Sequence, residues 1–252
     1  MGRRSARLEE GAFVVEGPAL VDHAVRAGWE LEAVFVAAGH WSYRPPMQNS
    51  ADVAVFELAP NVIERVASTE TPQPVLGIVR RRTASIGAFD QASFLLIGDG
   101  ISDPGNAGTM LRSAEAAGAD AVVMTQGSVD VFNPKVVRSS AGALFEVPVI
   151  VDITIDDVLR ALKQLPTPFR SFGTTSHAVA LPGTNATVTA YTDVDLTGPS
   201  AIVVGNEAAG LSLDTAVDHW ITVPHAGRAE SLNVAMAATV LVFEVARQRQ
   251  GR

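Results

Sequence analysis

Side chains able to do chemistry gather in three short stretches of this chain. Asp103, Asn106 and Arg112 lie in DPGNAGTMLRSA, Asn206 and Glu207 follow Gly205 in GNEAAGL, and Ser231 and Asn233 flank Leu232 in VPHAGRAESLNVAMA. An amide, a guanidinium, a carboxylate and a hydroxyl can orient a substrate, steady a growing negative charge and hold or move a proton. Other chemistries lack their residues. No G-x-S-x-G elbow supports a nucleophilic hydrolase. The five histidines, His23, His40, His177, His219 and His225, lack H-E-x-x-H or similar spacing, and there is no cysteine, so no metal site is expected. GDGIS begins as G-x-G, but Asp103 stands where a dinucleotide fingerprint has its last glycine, and no G-x-x-x-x-G-K-[ST] phosphate loop occurs.

Each stretch sits where a strand would hand over to a loop or helix. Phe94–Gly98 reads as a buried strand, and a helix follows from about Asn106 to Ala117 with Ala107, Met110, Leu111, Ala114 and Ala117 as its apolar stripe. Ala201–Val204 is a second buried strand that breaks at Gly205. Trp220–Val223 is a third, stopped by Pro224. Ser231 reads as the N-cap of a last helix whose apolar face is Leu232, Ala235, Met236, Thr239, Phe243 and Ala246. Polar side chains among glycines at the carboxyl ends of strands are where α/β folds put ligands. Between these, Ala121–Met124, Val147–Val151 and Phe169–Thr174 read as apolar runs or strands, Asn133-Pro134 as a helix start, and Asp156–Leu165 as an amphipathic helix. Residues 182–199 are turn-rich.

Residues 1–82 read as a small α/β unit with strands at Phe13–Gly17, Leu31–Val36, Val53–Leu58 and Val75–Val79 and helices at Pro18–Ala27 and Asn61–Ala67. Residues 83–92 have few large apolar side chains and read as a linker, and 93–252 as the second domain. Apolar residues make up 47% of the 252, enough for a real core, and no run of about 18 uninterrupted apolar residues marks a membrane span. The start lacks an apolar signal region, and with no cysteine the expected location is the cytoplasm.

The three stretches, in this order, resemble the motifs of the SpoU/TrmH branch of the SPOUT RNA methyltransferases. FVVEGPALVDHAVRAG and STETPQPVLGIV resemble that family's N-terminal ribosomal-protein-like RNA-binding domain, so the likeness spans nearly the whole chain. It implies an S-adenosylmethionine-dependent transfer of methyl to a ribose 2′-hydroxyl in structured RNA, rRNA or tRNA. It also implies a C-terminal α/β domain tied in a trefoil knot. Backbone around Gly205, Val223 and Leu232 would hold the cofactor, and Asn106, Arg112, Glu207, Ser231 and Asn233 would form the polar active site. A non-catalytic RNA binder on the same scaffold and a base methyltransferase are the alternatives.

The resemblance sets expectations that physical chemistry refines. A guanidinium stays charged in proteins, so Arg112 is better suited to grip a phosphate and stabilise an alkoxide than to take a proton. An ion pair with Glu115 or Glu207 is its plainer use. Glu207 could orient Arg112 or accept the proton. The net charge of −8 is unfavourable for RNA overall, so local positives are the candidates: Arg3, Arg4, Arg7, Arg80, Arg81, Arg82, Lys135 and Arg138. Each group could equally be ordinary solvated surface. In the last helix Val234, Val240, Leu241, Val242 and Val245 lie beyond the main stripe. With the family's pairing through this region, that points to a homodimer built on the C-terminal domain, with Arg112 working either in its own site or across the interface in the partner's, although neighbouring helices of the same chain could cover the extra surface instead.

Overall fold

The computed structural model describes residues 3–46, 53–66, 71–176, 187–227 and 231–250. Ala67, His177 and residues 182–186, which enter the readings above, lie outside these ranges. In chain order the elements are α1 (Arg4–Glu9), β1 (Ala12–Glu16), α2 (Pro18–Arg26), β2 (Leu31–Val36), β3 (Ala54–Glu57), α3 (Ile63–Val66) and β4 (Val75–Arg80). There follow β5 (Phe94–Gly98), α4 (Pro104–Ala116), β6 (Ala121–Met124), α5 (Pro134–Ser139), α6 (Ala143–Glu146), β7 (Val149–Ile150) and α7 (Ile155–Gln164). The last are β8 (Arg170–Thr174), β9 (Val188–Ala190), β10 (Ser200–Val204), β11 (His219–Thr222) and α8 (Val234–Arg249). The chain forms two compact units, one of residues 1–82 with 130–146, the other of 83–129 with 147–252.

The first unit is built on a mixed sheet of order β1-β4-β2-β3, in which only β2 and β3 run parallel. Residues 130–146 belong to it, although the sequence reading assigned them to the second domain. The reason lies on β1. Phe13 is fully buried, and its ring meets Phe132 at 4.9 Å and Phe145 at 6.4 Å. Trp29 donates its indole N–H to the Phe145 carbonyl at 2.9 Å. Arg7 and Asp130 close a buried ion pair at 2.7 Å. Gly142 takes φ +99°, and a Cβ there would stand 2.2 Å from the His23 ring, so glycine is what lets this segment settle. Without residues 130–146 the apolar face of β1 would lose the rings packed on it.

The second unit carries a seven-stranded sheet of order β7-β6-β5-β10-β8-β11-β9, every pair parallel. β5, β6 and β10 are buried along their whole length, as parallel strands covered on both faces must be, and their unbroken apolar runs follow from that. The stretch read as a linker is instead a 3-10 helix, Ile86–Gln91, whose Phe89 is 1% exposed in the core with Leu95, Ile97 and Val203. One large side chain among small ones gave no periodic signal.

Two helices position the polar stretches. α4 is capped by Asp103, which accepts from Asn106 N–H at 2.8 Å, and buries Ala107, Met110, Leu111 and Ala114 as expected. α8 departs from expectation twice. Its N-cap is Asn233, not Ser231: Asn233 Oδ1 accepts from Ala235 N–H at 2.9 Å and Met236 N–H at 3.3 Å. Its buried face is Ala235, Ala238, Leu241, Val242 and Val245, whereas Met236 and Phe243 are 63% and 47% exposed. α4 and α8 pack together, joined by a hydrogen bond of 2.7 Å between the Ser113 and Thr239 hydroxyls.

Candidate active site

The loop after β10 and the loop after β5 meet through one carboxylate. Glu207 Oε2 accepts from Ser102 N–H at 3.0 Å and Ser102 Oγ–H at 2.8 Å. Its Oε1 accepts from Asp103 N–H at 2.9 Å and from the Asn106 amide at 3.0 Å. Asn206 adds a long contact at 3.4 Å while donating to the Gly100 carbonyl at 2.8 Å. The chain of bonds continues: Asn106 Oδ1 accepts from Asn233 Nδ2 at 3.0 Å. Three stretches spread over more than a hundred residues thus converge as Asn233, Asn106 and Glu207 in series.

This arrangement fixes the state of Glu207. Partial burial pushes its pKa up, but the donors from Asn106, Asp103 and Ser102 outweigh burial and hold it at about 2. Such a carboxylate is an ionised clamp and a poor proton acceptor at neutral pH. Arg112 lies on the exposed side of α4. Among the described residues it makes no ion pair, with neither Glu115 nor Glu207, which leaves its five donors for a ligand.

Beside the clamp is a cleft of about 410 Å³, within the size range of small-molecule sites. Gly205, Val223 and Leu232, the residues expected to hold a cofactor, all line it, as do Glu207 and Ser231. Asn106, Arg112 and Asn233 are not on its wall. Gly205 is there for lack of a side chain: a Cβ would stand 2.1 Å from Leu211 N and 2.3 Å from Gly210 C. The loop 206–210 folds back that closely because Asn206 and Gly210 bond each other's backbone and the Asn206 side chain accepts from Ala208 and Ala209 N–H. Ile221, Val223 and Leu241 give the cleft apolar walls, and Thr174, Thr175 and Ser176 bring hydroxyls to it. A flat apolar group and a polar chain would both find partners there, so the residues fit a nucleoside-bearing cofactor such as S-adenosylmethionine.

Ser102 and the Thr174–Ser176 triplet are the residues that the sequence reading passed over. The triplet did carry a signal, since it ends β8, a parallel neighbour of β10, on the edge where α/β sheets bind ligands.

The proposed RNA-contacting cations sort into two groups. Arg7 is 2% exposed and committed to Asp130. Arg80 bridges Glu30 at 3.3 Å and Glu32 at 2.7 Å. Arg81 and Arg82 lie over the Phe132 and Trp29 rings, each 4.7 Å from the centroid. Arg7 is thus buried away from any ligand, whereas Arg80 and Arg82 pair or stack within the first unit and still remain exposed. Arg3, Arg4, Lys135 and Arg138 do face solvent.

Comparison with known proteins agrees with this geometry. Residues 93–243 match the SpoU rRNA methylase family, and residues 1–77 match the MRM3-like substrate binding domain. A 23S rRNA (guanosine(2553)-2′-O)-methyltransferase of Bacillus subtilis, RlmP, is 32% identical over 96% of this chain and 91% of its own. A 23S rRNA (uridine(2479)-2′-O)-methyltransferase of Streptomyces viridochromogenes is 30% identical over 99% of this chain and 87% of its own. Among solved structures, the SpoU methyltransferase AviRb from Streptomyces viridochromogenes in complex with AdoMet superposes with a TM-score of 0.84 at 29% identity, covering 99% of this chain and 94% of that one. An AdoMet-bound rRNA methyltransferase from Sinorhizobium meliloti gives 0.82 at 28% identity, covering 98% and 91%. With a family model matched across more than half its length, this chain belongs to the SpoU rRNA methylase family.

Proposed function

We infer that this protein transfers the methyl group of S-adenosylmethionine to a ribose 2′-hydroxyl of ribosomal RNA. The observation that carries the reading is the hydrogen-bonded series Asn233, Asn106, Glu207 set against a cleft walled by Gly205, Val223 and Leu232. The cofactor supplies an electrophilic methyl. The protein's share is alignment and charge. Gly205 lets backbone approach the cofactor closely, and Val223 and Leu232 enclose it. Glu207 stays ionised and locks the Ser102–Asn106 turn in place. Asn106, gripped on both sides, keeps its amide in one orientation. Arg112 binds the phosphate beside the target ribose and offsets the negative charge that grows on the 2′-oxygen. Ser231, exposed at the cleft and not the cap of α8, contacts the ligand directly.

The same proposal extends to architecture. The C-terminal segment threads a trefoil knot. Support comes from β10 lying between β5 and β8, and from Val223 and Leu232 returning to a cleft already bordered by Thr174 and Gly205. The protein is a homodimer through its second unit, as the exposed Met236 and Phe243 on α8 suggest, and Arg112 serves either its own site or the partner's. The first unit selects RNA, with Arg3, Arg4, Arg80, Arg82, Lys135 and Arg138 among its solvent-facing cations. It works in the cytoplasm.

The test is direct. Purified protein with methyl-labelled S-adenosylmethionine and unmodified ribosomal RNA should yield a 2′-O-methylnucleoside, recognised because ribose methylation blocks alkaline cleavage at the adjacent phosphate. Label found only on a base, or none at all with folded protein, would overturn the reading.

A further inference from the structure

Helices α4 and α8 are pinned to each other twice. At their amino ends Asn233 Nδ2 donates to Asn106 Oδ1 at 3.0 Å. About two turns further, roughly 10 Å along α4, the Ser113 and Thr239 hydroxyls meet at 2.7 Å. Both pins advance in the same sense along both helices, so the two run side by side in parallel.

The second pin is not something the helices need for themselves. Ser113 is 8% exposed, beside Leu111 and Ala114 on the packed side of α4. Alanine there would fill nearly the same volume, favour the helix more and bury no polar group. Thr239 is β-branched and costs helix propensity too. The pair also has a direction. Thr239 gives its proton to the Ala235 carbonyl at 2.7 Å, so its oxygen offers only lone pairs, and Ser113 is the donor. Apolar contact between helices tolerates a small slide, whereas a hydrogen bond weakens steeply when stretched or bent.

What the pin holds still bears on the reaction. Arg112 is the residue before Ser113 and lies exposed. α8 is a wall of the cofactor cleft through Val234, Ala237 and Leu241, and it presents Met236 and Phe243 elsewhere on its surface. A slide of α4 along α8 therefore displaces Arg112 relative to the cofactor, whichever cleft Arg112 serves.

We propose that Ser113 and Thr239 are positioning residues for methyl transfer: their hydroxyl pair fixes the register of α4 on α8, and so the place of Arg112 against the bound cofactor. The proposal rests on the methyltransferase reading above and deepens it. Neither residue lines the cleft, and both act through Arg112.

The test is steady-state methylation of ribosomal RNA by the full-length protein. Thr239→Val keeps the shape and removes the hydroxyl, and Ser113→Ala removes the other. Each should lower kcat about tenfold, since a misplacement of about 1 Å costs on the order of a hundredfold and this one is smaller. KM for RNA and affinity for S-adenosylmethionine should stay within about twofold, because the lost interaction belongs to the transition state. The calorimetric stoichiometry of S-adenosylmethionine should be unchanged, so that the fall is per folded site. The double variant Ser113→Ala with Thr239→Val should be no slower than either single one, and in an Arg112→Ala background Thr239→Val should cost nothing more. Thr239→Ser should restore the rate. A core variant remote from the pin, Val158→Ala in α7, should lose thermal stability and keep its kcat, which separates positioning from stability. Unchanged kcat in folded Thr239→Val and Ser113→Ala proteins overturns the proposal. So does a tenfold loss that persists in the Arg112→Ala background, or a Thr239→Ser protein as slow as Thr239→Val. Ser113→Ala alone decides if Thr239→Val does not fold. Failure here is separable from failure of the enzymatic reading: an active unsubstituted protein with an equally fast Thr239→Val variant removes the pin alone, whereas an unsubstituted protein that transfers no methyl overturns both.

Discussion

Glu207→Gln separates a clamp from a base. As a glutamate the side chain presents two acceptor oxygens to Ser102 N–H and Oγ–H and to Asp103 N–H and the Asn106 amide. Glutamine turns one oxygen into a donor, so the two donors on that side face an N–H₂ group. Bonds to a charged acceptor contribute about 1.5–3 kcal/mol each when buried. This residue is solvent-exposed at the surface, so screening reduces the figure and a net loss on the order of 1–2 kcal/mol is expected. That is a fall of roughly 3–6 °C in melting temperature. The loss has a signature in pH. Because the folded-state pKa is about 2 and the ordinary value 4.5, the carboxylate's contribution is fully present above 4.5 and fades as pH drops towards 2. Melting curves of both proteins should therefore differ at pH 7 and converge in acid. Activity should fall because Asn106 loses its hold, by about a hundredfold, and by the same factor at every pH from 6 to 9. A Glu207→Gln protein as stable as the original, whose residual rate climbs tenfold per pH unit where the original is flat, would show that Glu207 takes the proton and would refute the clamp.

Arg112→Ala should cut methyl transfer by orders of magnitude while leaving S-adenosylmethionine affinity within a few-fold by calorimetry, and Arg112→Lys should rescue little, since a point charge does not replace a forked donor. An equal loss of both would place Arg112 on the cofactor. Gly205→Ala should abolish cofactor binding, because the added methyl would lie 2.1 Å from the Leu211 nitrogen and backbone cannot step aside as a side-chain tip can; retained affinity would show the loop is slack. In light scattering the protein should run at twice its 26.4 kDa, and Met236→Glu with Phe243→Glu should halve that mass; an unchanged mass would move the interface off α8. Mixing Arg112→Ala with Gly205→Trp should regain activity if Arg112 serves the partner's site, and none if it serves its own.

Much of the second unit was readable because burial leaves a dense mark. FLLIG, AVVM and AIVV are apolar without interruption and match β5, β6 and β10 to within a residue. Asn133-Pro134 marked a helix start, and the Asn133 side chain accepts from Lys135 N–H there. α8 was harder for a physical reason. Val240, Leu241, Val242 and Phe243 are consecutive and all apolar, so the sequence contains several candidate stripes, and the packing of α4 chooses the one through Leu241 and Val242. Ser231 and Asn233 are both good caps two residues apart. What decides is Asn106, which holds the Asn233 amide from another helix. Arg7 could not be judged from its neighbours at all, because the partner that buries it lies 123 positions away.

That distance bears on how the protein is made. A ribosome delivers the first 82 residues long before the segment that completes their unit, and Phe13, Trp29 and Arg7 stay without Phe132, Phe145 and Asp130 until residue 146 has left the exit tunnel. The leading portion of the nascent chain therefore cannot finish folding first, as N-terminal domains commonly do. It must wait, with apolar rings and an uncompensated cation available to chaperones, for β5, α4 and β6 to be translated. For the same reason, cutting the gene at the apparent boundary near residue 82 leaves each half missing something: one lacks the rings that cover β1, and the other carries those rings bare.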